Sequence, residues 1–140
     1  MTIGAIYPFL NAAHILGIAL LLGAALPMDQ RLLGAFRSAP LTVVVPFLSR
    51  LAGAGLAVAF LTGVVLFLVN PADYWANAAF RLKLGLLAAA LVLVAVQHRN
   101  PAYRAVLAGA PPAASVRLTA GASALVWLAM LLAGRWIGFL

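Results

Sequence analysis

The chain has 140 residues, 66% of them hydrophobic and 8% charged, with a mean hydropathy of +1.14. Soluble domains carry about 25% charged residues, so this composition excludes a water-soluble monomer and places the chain in a bilayer. Nine Lys and Arg against two acids give a net charge of +7, and the absence of cysteine excludes disulfides, thiolate metal sites, cysteine-ligated iron–sulfur clusters and thioether-linked haem.

A helix needs roughly 20 mainly apolar residues to cross a hydrocarbon core about 30 Å thick. Four runs qualify, at approximately 8–26, 51–69, 80–97 and 118–139. Lipid offers no partner to an exposed backbone amide, so these runs must be helices rather than open strands. The predicted fold is all-α, a transmembrane four-helix up-down bundle making one integral membrane domain over residues 1–140. No Lys or Arg precedes the first run, and it exceeds the roughly 7–15 apolar residues of a signal peptide, so it reads as a retained helix.

After the first run, Pro27, Pro40 and Pro46 are expected to break helix continuity, which makes 27–50 a polar connection carrying Asp29, Arg31, Arg37 and Arg50. Asp29 and Arg31 read as structural residues ending the first helix, with Asp29 paired inside the loop or to Arg50 or Arg99. In the second run, Gly55, Ala59 and Gly63 recur every four residues, a stripe that lets a neighbouring backbone approach closely. The short connection that follows holds Asp73, and Arg81 and Lys83 open the third run. A second polar connection, 98–117, carries Arg99, Arg104 and Arg117. In the fourth run Thr119, Ser123, Trp127, Met130 and Gly134 share one helical face, expected to be interior because hydroxyls and an indole N–H prefer partners to lipid.

Six of the nine basic residues fall in the two long connections. The bias of Lys and Arg to the cytoplasmic side then places both termini outside, in the inner membrane of a bacterium. Tyr7, Tyr74, Trp75 and Trp136 would lie together at the outer interface, where amphipathic rings anchor helices.

Ionisable residues at membrane depth default to a functional hypothesis. His14 leads: Asn11 and Gly17 share its face, and the missing side chain at Gly17 admits either a neighbouring helix or a flat cofactor. Lys83 and Arg135 fall in the same outer part of the bundle. Facing inward, they would make an electropositive pocket suited to haem propionates or a quinone carbonyl; facing outward, they would snorkel to phosphates. Trp127 completes the candidate cofactor-binding set, and His14 is the one candidate metal ligand. His98, at the far end of the third helix, reads as a structural cap of the helix C-terminus. It lies roughly 18 Å from His14 in depth, too far for one iron to join them. No catalytic motif is present: the two acids lie on opposite sides, and there is no nucleophile elbow, phosphate-binding loop or His cluster. The cations are spread over both faces, which fits anionic lipid and not nucleic acid.

The strings His14-Ile-Leu-Gly-Ile-Ala, Met28-Asp-Gln-Arg-Leu-Leu-Gly, Thr62-Gly-Val-Val-Leu-Phe, Tyr74-Trp-Ala-Asn-Ala-Ala-Phe-Arg-Leu-Lys83 and Ala133-Gly-Arg-Trp-Ile-Gly resemble an uncharacterised bacterial family of four-helix membrane proteins. That family is loosely similar to copper-resistance D-type proteins and b-type cytochrome membrane subunits. The resemblance implies polar positions at His14, Asp29, Arg31, Lys83, His98 and Arg135, with Gln30 and Gln97 departing from a more apolar pattern. Three functions follow as expectations. One is a redox-linked subunit binding haem b or quinone near His14. Another is a cofactor-free accessory or anchor subunit, as a homo-oligomer or within a membrane complex. The third is a small transporter. Copper handling fits least, because Met1, Met28 and Met130 are dispersed and soft-ligand sites cluster Met and His.

Overall fold

The structure, a computed structural model, describes residues 3–137, with side chains from residue 5 onward. Its described residues form six helices and no strand: α1 (Ile3–Leu33), α2 (Leu41–Val69), α3 (Pro71–Ala76), α4 (Ala78–Arg99), α5 (Pro101–Leu107) and α6 (Ala114–Trp136). Four of them, α1, α2, α4 and α6, are long and apolar enough to cross a membrane. The chain is a multi-pass, all-helical membrane protein. The predicted end of the last span, at Phe139, lies outside the described residues.

Two helices outrun their predicted spans. α1 continues through Pro27 to Leu33, and α2 starts ten residues before the apolar run, with Pro46 inside it. The expected breaks at Pro27 and Pro46 do not occur. Proline removes one intrahelical bond, a cost of about 3 kcal/mol. Here the flanking turns are held by burial of Ala24, Ala25 and Leu32 on α1 and of Val45 and Ala52 on α2. Its 31 residues make α1 about 46 Å long, more than the hydrocarbon thickness, so its polar end projects beyond the apolar run. Only Pro40 stands at a boundary, just before α2. α1 ends instead at Gly34, whose φ of +114° suits a residue without Cβ. The Ala35 N–H then turns back to the Gln30 carbonyl at 2.9 Å.

α1 packs against α2 and α6, and α6 against α4. Among the described residues no Cα of α2 comes within 8 Å of a Cα of α4. They meet through rings: Phe67 stacks on Phe80 with centroids 5.5 Å apart, and Tyr74 of α3 tilts against both. At this same end Asn77 caps α4, accepting from the Ala79 and Phe80 amides, and its Nδ2 donates to the Ile137 carbonyl at 2.9 Å. The start of α1, the end of α6 and α3 therefore share one end of the bundle, the terminal end. The α1–α2 connection and α5 make the other, the loop end.

The closest helix pair is α1 with α2. A Cβ placed on Gly17 would stand 2.6 Å from the Ala59 amide nitrogen, and one on Gly55 would stand 2.5 Å from that of Leu21. Small residues thus set this crossing, and the third member of the stripe, Gly63, lies against the His14 ring. Leu21, Ala24, Ala25, Ala52, Ala90 and Trp127 form the mid-bundle core. At the loop end, α5 inserts Tyr103 and Val106 among Leu32, Val45, Val116 and Ala120. Phe9, Phe60, Leu61, Leu82, Leu125 and Leu132 are exposed, as lipid-facing side chains must be.

Candidate functional site

His14 is half-buried on the face of α1 that meets α2. Its Nδ1 lies 2.9 Å from Thr62 Oγ1. The Thr62 hydroxyl has one proton, and it donates back into its own helix, 2.7 Å from the Val58 carbonyl and 3.2 Å from that of Ala59. With that proton on its own helix, Thr62 turns a lone pair to His14, and the tautomer that matches it carries the proton on Nδ1. In the neutral imidazole this arrangement puts the lone pair on Nε2. Thr62 is the residue that sequence reasoning missed. Its signal was register: an antiparallel pairing that faces Gly17 with Ala59 and Leu21 with Gly55 puts Thr62 opposite His14.

Lys83 turns inward. Its Nζ lies 3.7 Å from where a Cβ would stand on Gly134 of α6, and its charge acts on the His14 imidazole. The missing side chain at Gly134 leaves the ammonium room between α4 and α6. Of the other two candidates, Arg135 is exposed on α6, next in sequence to Gly134, and Trp127 is 2% exposed in the core cluster that includes Leu21, two turns along α1 from His14. Among the described residues no three His, Asp or Glu side chains gather as a metal site.

Above His14, an open cleft of about 380 Å³ at the terminal end is lined by Tyr7, Leu66, Asn70, Asp73, Tyr74 and Asn77, among others. Tyr7 is two turns before His14 on α1, and Leu66 is one turn after Thr62 on α2, so both share a face with the histidine pair. Burial pushes the Tyr74 phenol up to about 12, aided by its hydrogen bond with Tyr7. The Tyr74 ring thus stays a neutral, protonated phenol at the mouth of the cleft.

A second buried polar station occupies the loop half. Asp29 belongs to α1 rather than to a loop, and at 2% exposure it meets the Ser123 hydroxyl of α6, not Arg50 or Arg99. Its Oδ2 has no hydrogen-bond partner, nor does Oε1 of buried Gln97, whose Nε2 donates to the Val116 carbonyl at 3.1 Å. The expected pairing failed because the helix did not end at Leu26, and one further turn carried Asp29 inward. Tyr103 lies nearby; burial raises its phenol, with the Ser49 hydroxyl opposing and the Asp29 charge adding to the rise. Arg31 Nε donates to the Ala39 carbonyl at 2.8 Å. His98 Nδ1 meets the Val94 carbonyl at 2.8 Å, and its ring tilts against Tyr103. His14 and His98 stand at opposite ends of the bundle.

Residues 1–140 match a family of unknown function (DUF6644). The chain belongs to that family. No curated protein and no solved structure matches it. For this DUF6644 protein, none of these comparisons supports the looser likeness to copper-resistance and b-type cytochrome proteins. Its chemistry must be argued from its own side chains.

Proposed function

We propose that this DUF6644 protein is a redox-linked membrane subunit whose His14 site receives a quinone head group. The observation that carries the reading is the 2.9 Å contact of His14 Nδ1 with Thr62, whose own proton goes to the Val58 carbonyl; a donating Nδ1–H then leaves the Nε2 lone pair for a ligand, with the Lys83 charge acting on the same ring. Nε2 accepts from a quinol hydroxyl, and the Lys83 ammonium donates to a quinone carbonyl, so one acceptor and one donor serve both redox forms. The terminal-end cleft gives a polar approach to this face. The chain's part is to hold the head group and handle its protons, with electrons coming from a redox partner. The same Nε2 would ligate haem b, yet Gly17, the position open to a flat cofactor in the sequence, is filled by the backbone of α2. Haem would also need its sixth ligand from solvent or another subunit. Quinone fits better. With six of nine basic residues at the loop end, the reading puts that end in the cytoplasm of a bacterium and the His14 cleft on the opposite side. The closed α1–α2 interface favours the second reading, an anchor subunit without a cofactor.

Detergent-purified wild type, His14→Ala and His98→Ala should be extracted for quinone and scanned oxidised and reduced. Quinone is expected with wild type and His98→Ala, and at least about tenfold less with His14→Ala, since one buried hydrogen bond to a ligand is worth roughly a factor of ten. A Soret band lost in His14→Ala alone would replace quinone with haem b. Equal content in all three proteins would leave the anchor reading.

A further inference from the structure

At the loop end, away from the His14 site, an open cleft of about 410 Å³ has Arg31, Arg37 and Arg117 around it. Its remaining walls include Leu41, Pro111 and Pro112, with no acid among the lining residues. Three separate segments bring these arginines to one cleft, their stems on its apolar walls: the last turn of α1, the α1–α2 connection and the first turn of α6. Arg31 is fixed by its Nε bond to the Ala39 carbonyl, and Arg37 by a 3.3 Å bond from Nε to the Gly34 carbonyl. Arg117 reaches in from α6, with Nη2 3.7 Å from where a Cβ would stand on Gly34. Among the described residues no carboxylate pairs with any of the three. α2 and α6 both begin beside the cleft, neither with a side-chain cap, and their amide ends add to the positive field.

We propose that this cleft binds the phosphate head group of an anionic phospholipid. A cationic rim asks for an anion, and a guanidinium pairs with phosphate oxygens two at a time. The apolar walls then decide between a free anion and a lipid. Leucine and proline surface offers nothing to a hydrated inorganic phosphate, but suits the glycerol and upper acyl carbons behind a head group. Leu33, Phe36, Val43 and Leu118, all close in sequence to the cleft residues, are exposed apolar side chains. They mark this end as lying at the boundary of acyl chains and head groups, where a lipid reaches the cleft sideways. Basic pockets between membrane helices hold anionic head groups by these same forces.

The test is thermal stability of the full chain in neutral detergent, titrated with phosphatidylglycerol, phosphatidylcholine or sodium phosphate. Arg37→Gln/Arg117→Gln removes two rim charges and keeps Arg31, whose bond to Ala39 holds the loop. Arg99→Gln/Arg104→Gln removes the same charge from the same end outside the cleft. Phosphatidylglycerol should stabilise wild type and the Arg99/Arg104 variant at similar concentrations, and the Arg37/Arg117 variant only at about tenfold higher concentration or more. Equal stabilisation by phosphatidylcholine, or equal loss in both double variants, would overturn the site. Full stabilisation by sodium phosphate would overturn the lipid as its occupant.

Discussion

Gly17→Leu should destabilise the protein by about 3 kcal/mol, the upper end of what overpacking a well-packed contact costs. Even a Cβ here would stand 2.6 Å from the Ala59 amide nitrogen and 3.0 Å from the Gly55 carbonyl oxygen. These are backbone atoms, which cannot swing aside as a side-chain tip can, so α1 and α2 must separate. Separation also pulls His14 from Thr62 and forfeits dispersion along the whole seam, the main attraction between helices already in lipid. Gly23→Leu and Gly53→Leu are the matched controls, because a Cβ at either meets nothing within 4 Å; each should stay within about 0.5 kcal/mol of wild type. Unfolding in mixed micelles compares the three. Similar losses in all of them would contradict the packing.

Trp127→Ala should cost about 3–5 kcal/mol. The indole is buried in a cluster otherwise made of Leu21 and the alanines 24, 25, 52 and 90. These alanines have no rotamer with which to lean into a hole, so beyond what the partly buried Leu48, Leu51, Leu56 and Met130 around the cluster fill, its lining loses contacts outright. Trp127→Phe keeps most of the volume and should recover more than half of the loss in the same assay. A loss below about 1 kcal/mol for the alanine variant would mean that the ring is not part of the core.

How far these features could be read from the sequence differs from one residue to the next. The spans were legible because lipid demands a run of about 20 apolar residues, and the stripe at Gly55, Ala59 and Gly63 announced a close helix contact. The overhanging turns were not. Pro27 and Pro46 signal breaks locally, and only the tertiary burial of residues such as Leu32 and Val45 overrides them. That one error put Asp29 in a loop and hid the buried station it forms with Ser123. His14 stood out as a histidine at membrane depth, but Thr62 did not, since a threonine in an apolar run bonds its own helix by default. Lys83 was undecided between snorkelling and facing inward, and the room above Gly134 decides it. Gln97 departed from the apolar pattern of the resembling family, and the structure buries it against α6.

The most direct test of the central claim is nitrogen NMR of protein labelled at its two histidines. His14 should show a protonated Nδ1 and a bare Nε2 at neutral pH, because Thr62 accepts from one nitrogen and leaves the other free. Adding a short-chain quinol should move the Nε2 signal of His14 and leave His98 unchanged, and Thr62→Val should release the tautomer preference. A proton on Nε2 in the wild type, or a His14 signal indifferent to quinol, would contradict the account.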